Sequence, residues 1–304
     1  MKVYATKKVL MDIPNDRSSH IEATPHGGGI AIAISWFLGI SYLYHFDNIE
    51  SSLYFALLVG NMVSVVSYLD DLFQLRVKTR LSVQVLASIL GLYFLSGLEQ
   101  IDLLFFSIEN QILTNLFAFL MIVWFINLYN FLDGIDGYAG SEAVFLGVAG
   151  FILYGDIHFV VLVVSVLGFL VWNWHNAKIF MGDVGSTLLG YNIAIFTLYY
   201  SNQEPSNLWI WITLFGLFWF DATLTLYKRY RNGDRLSQAH KKHAYQRLVQ
   251  SGWSHSRVVI FSIAVNVMLF CLVYFISNIF IAFAIFLLLL YAISMYVGSK
   301  KGFI

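Results

Sequence analysis

Long runs of apolar residues alternate with short polar stretches along almost the whole chain. A helix needs about 20 mostly apolar residues to cross the hydrocarbon core of a bilayer, with a range of about 17–25. We count ten such segments, so the pattern predicts an all-α, polytopic membrane protein with about ten transmembrane helices. The segments cover residues 28–46, 53–69, 82–98, 111–130, 140–155, 158–174, 187–201, 207–227, 257–277 and 279–297.

The composition supports the same class. Of the 304 residues, 59% are hydrophobic and 12% are charged, whereas a typical soluble domain has about 25% charged residues. The one cysteine, Cys271, lies within an apolar segment, which excludes a disulfide framework and a cysteine metal cluster. Without a fixed-period repeat, the simplest interpretation is a single membrane domain over residues 1–304, with an N-terminal segment 1–27 and a large loop 228–256.

The charged residues divide between the two sides that ten spans would create. All 18 lysines and arginines fall on one side, in the N-terminal segment, the loops after the second, sixth and eighth spans, and the C-terminal end. The positive-inside rule makes this side cytoplasmic. The opposite loops carry acids and no basic residue: Asp47, Glu50, Glu99, Asp102, Glu109, Asp156 and Glu204.

Adjacent carboxylates open the second cytoplasmic loop. Asp70 and Asp71 repel each other, so the pair suits a metal ion, a basic partner or a role as proton acceptor. The alternative is a solvated loop end balanced by Lys78 and Arg80. The sequence leaves both interpretations open.

The third cytoplasmic loop places Asn130, Asp133 and Asp136 three residues apart. On a continuing helix these positions share a face, whereas the neighbouring glycines favour a tight turn. The carboxylates converge in either case. Helix capping is the alternative role for the two acids.

Glycines flank polar residues before two other apolar segments. Asp183, between Gly182 and Gly185, is either a helix N-cap or a ligand for Mg²⁺, which prefers a few carboxylates, waters and phosphate oxygens. The triplet Gly27–Gly29 at a helix start would leave backbone N–H groups free to bind phosphate, with a plain turn as an equal alternative.

The loop 228–256 is basic and contains His240 and His243. A basic run most often attracts anionic lipid headgroups. The two histidines make nucleotide or phosphate recognition the competing interpretation.

Together, these motifs resemble the polyprenyl-phosphate N-acetylhexosamine-1-phosphate transferases, the superfamily that includes phospho-N-acetylmuramoyl-pentapeptide transferase. The stretch His240–Leu248 departs from the triple-histidine motif of that peptidoglycan enzyme and looks like the branch that initiates O-antigen and other surface polysaccharides. Members usually have one more span before the segment that starts at Asp12, so either the gene model begins late or this helix is lacking. The matching stretches are Asp12–Gly29, Asp70–Gln84, Asn127–Gly137, Asn173–Ser186 and His240–Leu248.

The resemblance implies transfer of a sugar 1-phosphate from a UDP-sugar, of the N-acetylhexosamine type or a deoxy derivative, to undecaprenyl phosphate with release of UMP. It implies Asp183 as the ligand of Mg²⁺, with Mn²⁺ as the alternative metal. Asp70 and Asp71 would lie beside the attacking lipid phosphate, one of them as the base. The implied substrate-binding residues are Asn130, Asp133, Asp136, Asn173 and Phe180 around the nucleotide, and His240 and His243 near the diphosphate.

The resemblance also implies a setting. The expected location is the bacterial cytoplasmic membrane, with the active site facing the cytoplasm and a role in lipopolysaccharide or cell-wall biogenesis. Membrane lipid is an expected partner, nucleic acid is not, and a homodimer stays open. One-step attack by the lipid phosphate is the preferred mechanism, and a phospho-enzyme formed on Asp70 or Asp71 is the alternative.

A secondary transporter is the main competing class. Acids within spans often mark ion paths, and Asp221 lies within a predicted span. Most candidate residues instead lie at the cytoplasmic ends of spans, which favours the enzyme. A CDP-alcohol phosphotransferase is disfavoured because Asp133-Gly134 is followed by Ile135-Asp136 and not by the remainder of that family's Asp-Gly-x-x-Ala-Arg motif.

Overall fold

The computed structural model describes residues 11–12, 24–236, 238 and 240–303. Most of the predicted N-terminal segment 1–27 therefore lies outside the described residues. The described chain is mostly helical. Its helices are α1 (Gly29–His45), α2 (Ser51–Leu58), α3 (Gly60–Phe73), α4 (Val77–Phe94), α5 (Gln111–Phe131), α6 (Tyr138–Tyr154), α7 (Ile157–Asn173), α8 (Asp183–Gln203), α9 (Asn207–Leu214), α10 (Gly216–Arg231), α11 (Ala244–Gln250), α12 (His255–Phe275) and α13 (Ile279–Lys300).

Every one of the ten predicted apolar segments coincides with helix, so the helical class is confirmed. Fewer of these helices meet the length and hydropathy of a membrane span. Within the described residues, four do so: α2 with α3, α5, α12 and α13. The pair α9 and α10, bent by 71°, makes a fifth if it is one broken span. The count of ten spans is not confirmed and stays a prediction.

Helix α8 lies at the centre of the bundle, which explains why its sequence is not that of a typical span. Seventeen of its 21 residues are buried, against α1, α3 and α5. A Cβ added at Gly190 would lie 2.4 Å from the Phe125 carbonyl oxygen of α5. A helix shielded from lipid by other helices does not need an apolar surface, so hydropathy underestimates it.

Two short antiparallel ladders complete the described elements. Strand β1 (Met11–Asp12) pairs with β2 (Thr24–Pro25), and β3 (Ile101–Asp102) pairs with β4 (Ser107–Ile108). Beyond β2, His26 forms an isolated parallel bridge with Phe180. This bridge joins the start of α1 to the segment that precedes α8.

The large loop is shorter than the predicted range 228–256. Helix α10 continues through Arg231, α11 lies within the loop, and α12 begins at His255. Basic residues in the last turn of α10 stabilise its extension, since cations interact favourably with a helix C-terminus. They are Lys228, Arg229 and Arg231.

Candidate active site

The adjacent acids Asp70 and Asp71 form the last turn of α3 rather than a loop. Gln74 adopts a left-handed conformation with φ of 51°, and its N–H donates to the Asp70 carbonyl at 2.8 Å, which ends the helix. The two carboxylates are 13% and 11% exposed. The interpretation as a solvated loop end is therefore wrong, although a basic partner is present.

That partner is Arg80, in the first turn of α4. Its Nη1 donates to Asp70 Oδ2 at 2.6 Å and to Asp183 Oδ2 at 3.3 Å. Hydrogen bonds between ionised groups are roughly twice as strong as neutral ones. One guanidinium thus joins the end of α3 to the start of α8.

Asp183 is the first residue of α8, and the N-cap is Gly182, which has φ of 73° and no side-chain cap. The capping interpretation is wrong because the Asp183 carboxylate turns instead to Arg80 and to the Asn130 side chain. Ser186 donates to Asn130 Oδ1 at 2.9 Å. The end of α5 and the first turn of α8 are therefore held together through Asn130.

Asp71 faces the other side of Gly182. Its Oδ2 lies 3.7 Å from His26 Nδ1, and a Cβ added at Gly182 would be 3.6 Å from both atoms. Asp71 Oδ2 is buried and accepts no hydrogen bond from the part of the chain that the structure describes. Such an oxygen carries the desolvation cost without a compensating donor, so it is poised to accept one from a ligand.

Gly28 and Gly29 of the glycine triplet do not offer free donors. The N–H groups of Gly28 and Gly29 donate to the carbonyls of Phe180 and Met181 at 2.9 and 2.8 Å. A Cβ on Gly29 would lie 2.2 Å from the Gly185 nitrogen. These glycines therefore allow the starts of α1 and α8 to touch, and phosphate binding by their N–H groups is not supported.

The turn between α5 and α6 brings Asp133 to the same cluster, where the Gly182 N–H hydrogen-bonds to it. Burial and the negative charge of Asp183 together raise the pKa of Asp133 to about 7. The Gly182 hydrogen bond opposes this rise. Asp133 therefore carries a proton in a substantial fraction of molecules near neutral pH.

Asp136 points to a second group of residues. Its Oδ2 accepts from the Ala177 N–H at 3.3 Å and lies 3.3 Å from His255 Nδ1. Burial opposes ionisation, but the hydrogen bond and charge of His255 lower the pKa of Asp136 below its ordinary value. The carboxylate is therefore held in its charged form. It lies where the turn between α5 and α6 meets the start of α12 and the segment 174–182 between α7 and α8, which we call the 170s segment.

Asn173 and Phe180 hold the 170s segment in place. Asn173 is 4% exposed, accepts from the Gly137 N–H at 2.9 Å and donates to the Ile179 carbonyl at 2.9 Å. The backbone of Phe180 pairs with Pro25 and Gly28, and its side chain is half-buried. Nucleotide contacts of these two residues stay a prediction.

His243 lies beside the largely buried Asp221, and His240 lies beside His243. Their ring centroids are 4.8 Å apart, and His243 Nδ1 is 3.7 Å from Asp221 Oδ2. Burial and the neighbouring positive charges lower the pKa of each histidine to about 4, so both are neutral at pH 7. Among the described residues, no hydrogen bond or ion pair joins either histidine to the acids around Arg80.

Tyr245 connects the histidine segment to the acid cluster. The ring is buried, and its hydroxyl donates to the Phe131 carbonyl at 3.3 Å. A Cβ on Gly134 would lie 2.0 Å from the same hydroxyl. Helix α11 is therefore packed directly against the turn that carries Asp133.

An amphipathic cavity of about 150 Å³ opens beside the cluster. Its polar wall contains Arg80, Asn130 and Asp183, and Asn127 donates to Gln84 at 2.8 Å along the same wall. The opposite wall is apolar: Val63, Val66, Val77, Leu81, Val83 and Phe131. Such a cavity suits a ligand with a charged head and a hydrocarbon tail.

The acids fit a divalent cation completed by substrate oxygens. Within the described residues, no group of three His, Cys, Asp or Glu side chains is arranged to hold a metal ion. Mg²⁺ usually needs only one or two protein carboxylates, with waters and substrate phosphates as the other ligands. Asp183, at the start of α8, supplies one such carboxylate.

For four residues of this region, the sequence pattern predicted no function or only a lesser one. Arg80 was only a balancing charge, while His26, Tyr245 and His255 had no assigned role. For three of them, the one signal in the sequence is a position within or next to a motif, as for His26 beside the glycine triplet. His255 gave none, because it stands 119 residues from its partner Asp136.

Comparison with known proteins agrees with this geometry. A family model described as glycosyl transferase family 4 matches residues 52–201. A probable undecaprenyl-phosphate N-acetylglucosaminyl 1-phosphate transferase of Bacillus subtilis (strain 168) is 31% identical over 281 residues, which cover 86% of this chain and 75% of that protein.

Two further relatives have similar names. The undecaprenyl-phosphate alpha-N-acetylglucosaminyl 1-phosphate transferase of Escherichia coli (strain K12) is 28% identical, covering 82% of this chain and 72% of that protein. The decaprenyl-phosphate N-acetylglucosaminephosphotransferase of Mycobacterium leprae (strain TN) is 27% identical, covering 85% and 74%.

Proposed function

The chain belongs to glycosyl transferase family 4, and from this premise we propose that it transfers a sugar 1-phosphate from a UDP-sugar to a polyprenyl phosphate. The named relatives use undecaprenyl or decaprenyl phosphate and N-acetylglucosamine. UDP-N-acetylglucosamine with undecaprenyl phosphate is therefore the first substrate pair to test. The products are UMP and the lipid-linked diphosphate sugar.

The observation that carries the proposal is the convergence of acids from three separate helix ends, two of which share one cation. Asp70 and Asp183 both bind Arg80, and Asp133 and Asp71 reach the same place through Gly182. The cavity at this point has one charged and one apolar wall. A lipid phosphate and a nucleotide diphosphate are the ligands that need such a combination.

In the reaction, an oxygen of the lipid phosphate attacks the β-phosphorus of the UDP-sugar. The bond between that phosphorus and the bridging oxygen breaks, and the bridging oxygen leaves with UMP. Phosphoryl transfer depends on positioning and on neutralisation of charge more than on covalent help. Arg80 at the mouth of the cavity supplies positive charge for the phosphates.

Asp71 is the better candidate for the base. Asp70 is held by Arg80 at 2.6 Å, whereas Asp71 Oδ2 has no donor in the described part of the chain. Asp71 is therefore free to take the remaining proton of the lipid phosphate. This arrangement favours one-step attack by the lipid over a phospho-enzyme.

Asp183 would hold Mg²⁺, or Mn²⁺, when substrate is bound. The cation supplies a Lewis acid that offsets the charge of the diphosphate. Arg80 orients the Asp183 carboxylate, and Asn130 fixes it from the α5 side.

The nucleotide is assigned to the adjacent group around Asp136 and His255. Asp136 is charged, and its neighbours Asn173 and Ala177 order the 170s segment beside it. His240 and His243, predicted near the diphosphate, are neutral, and His243 Nδ1 lies 3.7 Å from Asp221 Oδ2, so contact of the two histidines with substrate stays a prediction. The ends of α3, α5 and α7 would then lie at the cytoplasmic face of a bacterial inner membrane. Surface polysaccharide synthesis begins at that face.

A transporter is not supported. Both carboxylate oxygens of Asp221, the acid predicted within a span, accept from the Ala244 N–H at 2.9 Å, and Oδ1 also accepts from the Thr225 hydroxyl at 3.1 Å. It therefore fixes the start of α11. An acid so engaged is explained by the fold.

The test is UMP release by purified protein with a panel of UDP-sugars, with and without undecaprenyl phosphate and Mg²⁺. We expect UMP only when all three are present, and a loss of at least about a hundredfold in Asp183→Asn. Full activity of Asp183→Asn would contradict the metal assignment. Absence of UMP with every sugar nucleotide and lipid phosphate would contradict the function.

A further inference from the structure

A second groove lies between α10 and α13, and it shares no lining residue with the active-site cavity. The groove itself has a volume of about 30 Å³, and its open mouth brings the space to about 410 Å³. The walls are apolar, and Lys228 and Arg247 stand at one end with Asp221. The apolar lining residues are Leu217, Phe220, Leu224, Leu290 and Ile293.

Positive charge is concentrated at this end of the groove. Lys228, Lys242 and Arg247 all lie 5.4–5.5 Å from the centroid of the Phe303 ring. A cation–π contact contributes only about 0.5–1 kcal/mol at an exposed site. One aromatic ring therefore does not compensate three cations.

The carboxylates of the region do not balance these cations either. Lys242 is neutralised by Asp234 at 2.7 Å, but among the described residues no carboxylate lies within 4.0 Å of Lys228 or Arg247. Asp221 is the one acid among the described residues that line the groove. Within that described lining, two cations and one carboxylate leave a single net positive charge.

Arg247 makes this excess charge costly, because its side chain is 5% exposed. Its Nε and Nη2 donate to the Lys301 carbonyl, which is a neutral partner. A buried cation whose hydrogen bonds all go to a neutral group is unfavourable, and Asp221 must also offset Lys228. Among the described residues, the groove therefore has one cation more than it has carboxylates, which favours an anionic ligand.

We propose that this groove binds the headgroup of an anionic phospholipid, with the phosphodiester between Lys228 and Arg247 and an acyl chain along the apolar wall. A phosphodiester carries one negative charge, which matches the net charge of the site. A phosphate monoester such as polyprenyl phosphate carries about −1.5 to −2 at pH 7, which does not match. Basic pockets between helices at a membrane surface recognise lipid headgroups in this way.

The experiment is native mass spectrometry of the purified, delipidated full chain titrated with phosphatidylglycerol or phosphatidylcholine in detergent. It uses neither transfer substrate, so its result is independent of the proposed function. We expect one phosphatidylglycerol to bind more tightly than phosphatidylcholine. Lys228→Gln should weaken phosphatidylglycerol binding about tenfold or more, because a charged hydrogen bond is lost, and Lys228→Arg should restore it.

Arg231→Gln is the matched control. Arg231 lies one turn further along the same helix, is exposed and does not line the groove. The Arg231→Gln variant should therefore bind phosphatidylglycerol as the wild type does. Equal binding by Lys228→Gln and wild type would overturn the proposal. Displacement of phosphatidylglycerol by an equimolar amount of undecaprenyl phosphate would also overturn it, since the groove would then belong to the lipid substrate.

Discussion

The Arg80 guanidinium lies 3.3 Å from the Asp183 carboxylate across 103 residues of sequence. The contact joins the first turn of α4 to the first residue of α8. It also determines which acids are available for chemistry, because the same nitrogen binds Asp70 at 2.6 Å. Asp71 is left as the acid without a donor among the described residues.

Replacement of Arg80 by glutamine should lower kcat/KM for UMP release by roughly ten- to a hundredfold. The substitution leaves Asp70 and Asp183 without their shared cation and removes a charged donor near the phosphates. Arg80→Lys should recover only part of the activity, since an ammonium cannot reproduce the planar fork.

Arg76→Gln is the control for Arg80, because Arg76 is exposed and makes no ion pair among the described residues. It should retain wild-type activity. An Arg80→Gln enzyme as active as the Arg76→Gln enzyme would contradict the role of the shared cation.

Asp133 should make stability depend on pH. Its pKa of about 7 exceeds the ordinary value of 3.8, so the folded state binds more protons than the unfolded state between these values. The stabilising contribution is complete below about pH 4 and is lost as pH rises towards 7 and above. Thermal denaturation of the wild type and Asp133→Asn from pH 4.5 to 8 measures the effect.

The melting temperature of the wild type should fall relative to Asp133→Asn across this range. Asparagine cannot ionise, so the variant lacks this contribution to the slope. Parallel curves for the two proteins would contradict the raised pKa.

Gly29→Ala should destabilise the protein by about 1–3 kcal/mol. The added Cβ would lie 2.2 Å from the Gly185 nitrogen, which is backbone and cannot move aside. Gly168→Ala is the matched control in α7, because nothing lies within 4 Å of its Cβ position. It should be neutral or stabilising by up to about 1 kcal/mol. Thermal denaturation of both variants decides, and equal melting temperatures would contradict close contact between α1 and α8.

Asp221→Ala should lower the stability by about 1–3 kcal/mol, because the Ala244 N–H loses its acceptor at the start of α11. Asp221→Asn keeps one acceptor oxygen and should lose less. The measurement is thermal denaturation together with UMP release and with ion flux in liposomes. Unchanged stability with altered ion flux would favour the transporter and contradict the structural role.

Sequence patterns located the helices but not their relation to lipid. The segment 187–201 was predicted as a short span, and the structure shows α8 (Asp183–Gln203) buried on nearly every side. Hydropathy records how apolar a segment is, and it does not record whether lipid or protein surrounds the helix. The number of helices in contact with the membrane is for this reason a property of packing.

The sequence by itself determined the membrane class, the helical segments and the acids at their ends. The length of an apolar segment and the polar residues that end it are local properties of the sequence. The motifs also identified the family, which the comparisons confirm. Only the tertiary structure decided how those acids differ. Asp70 is paired with Arg80, Asp71 accepts no hydrogen bond through Oδ2 among the described residues, the pKa of Asp133 is raised to about 7, and Asp136 is held charged by His255. Burial and partners distant in sequence set these states, and neither can be read from the residues that flank an acid.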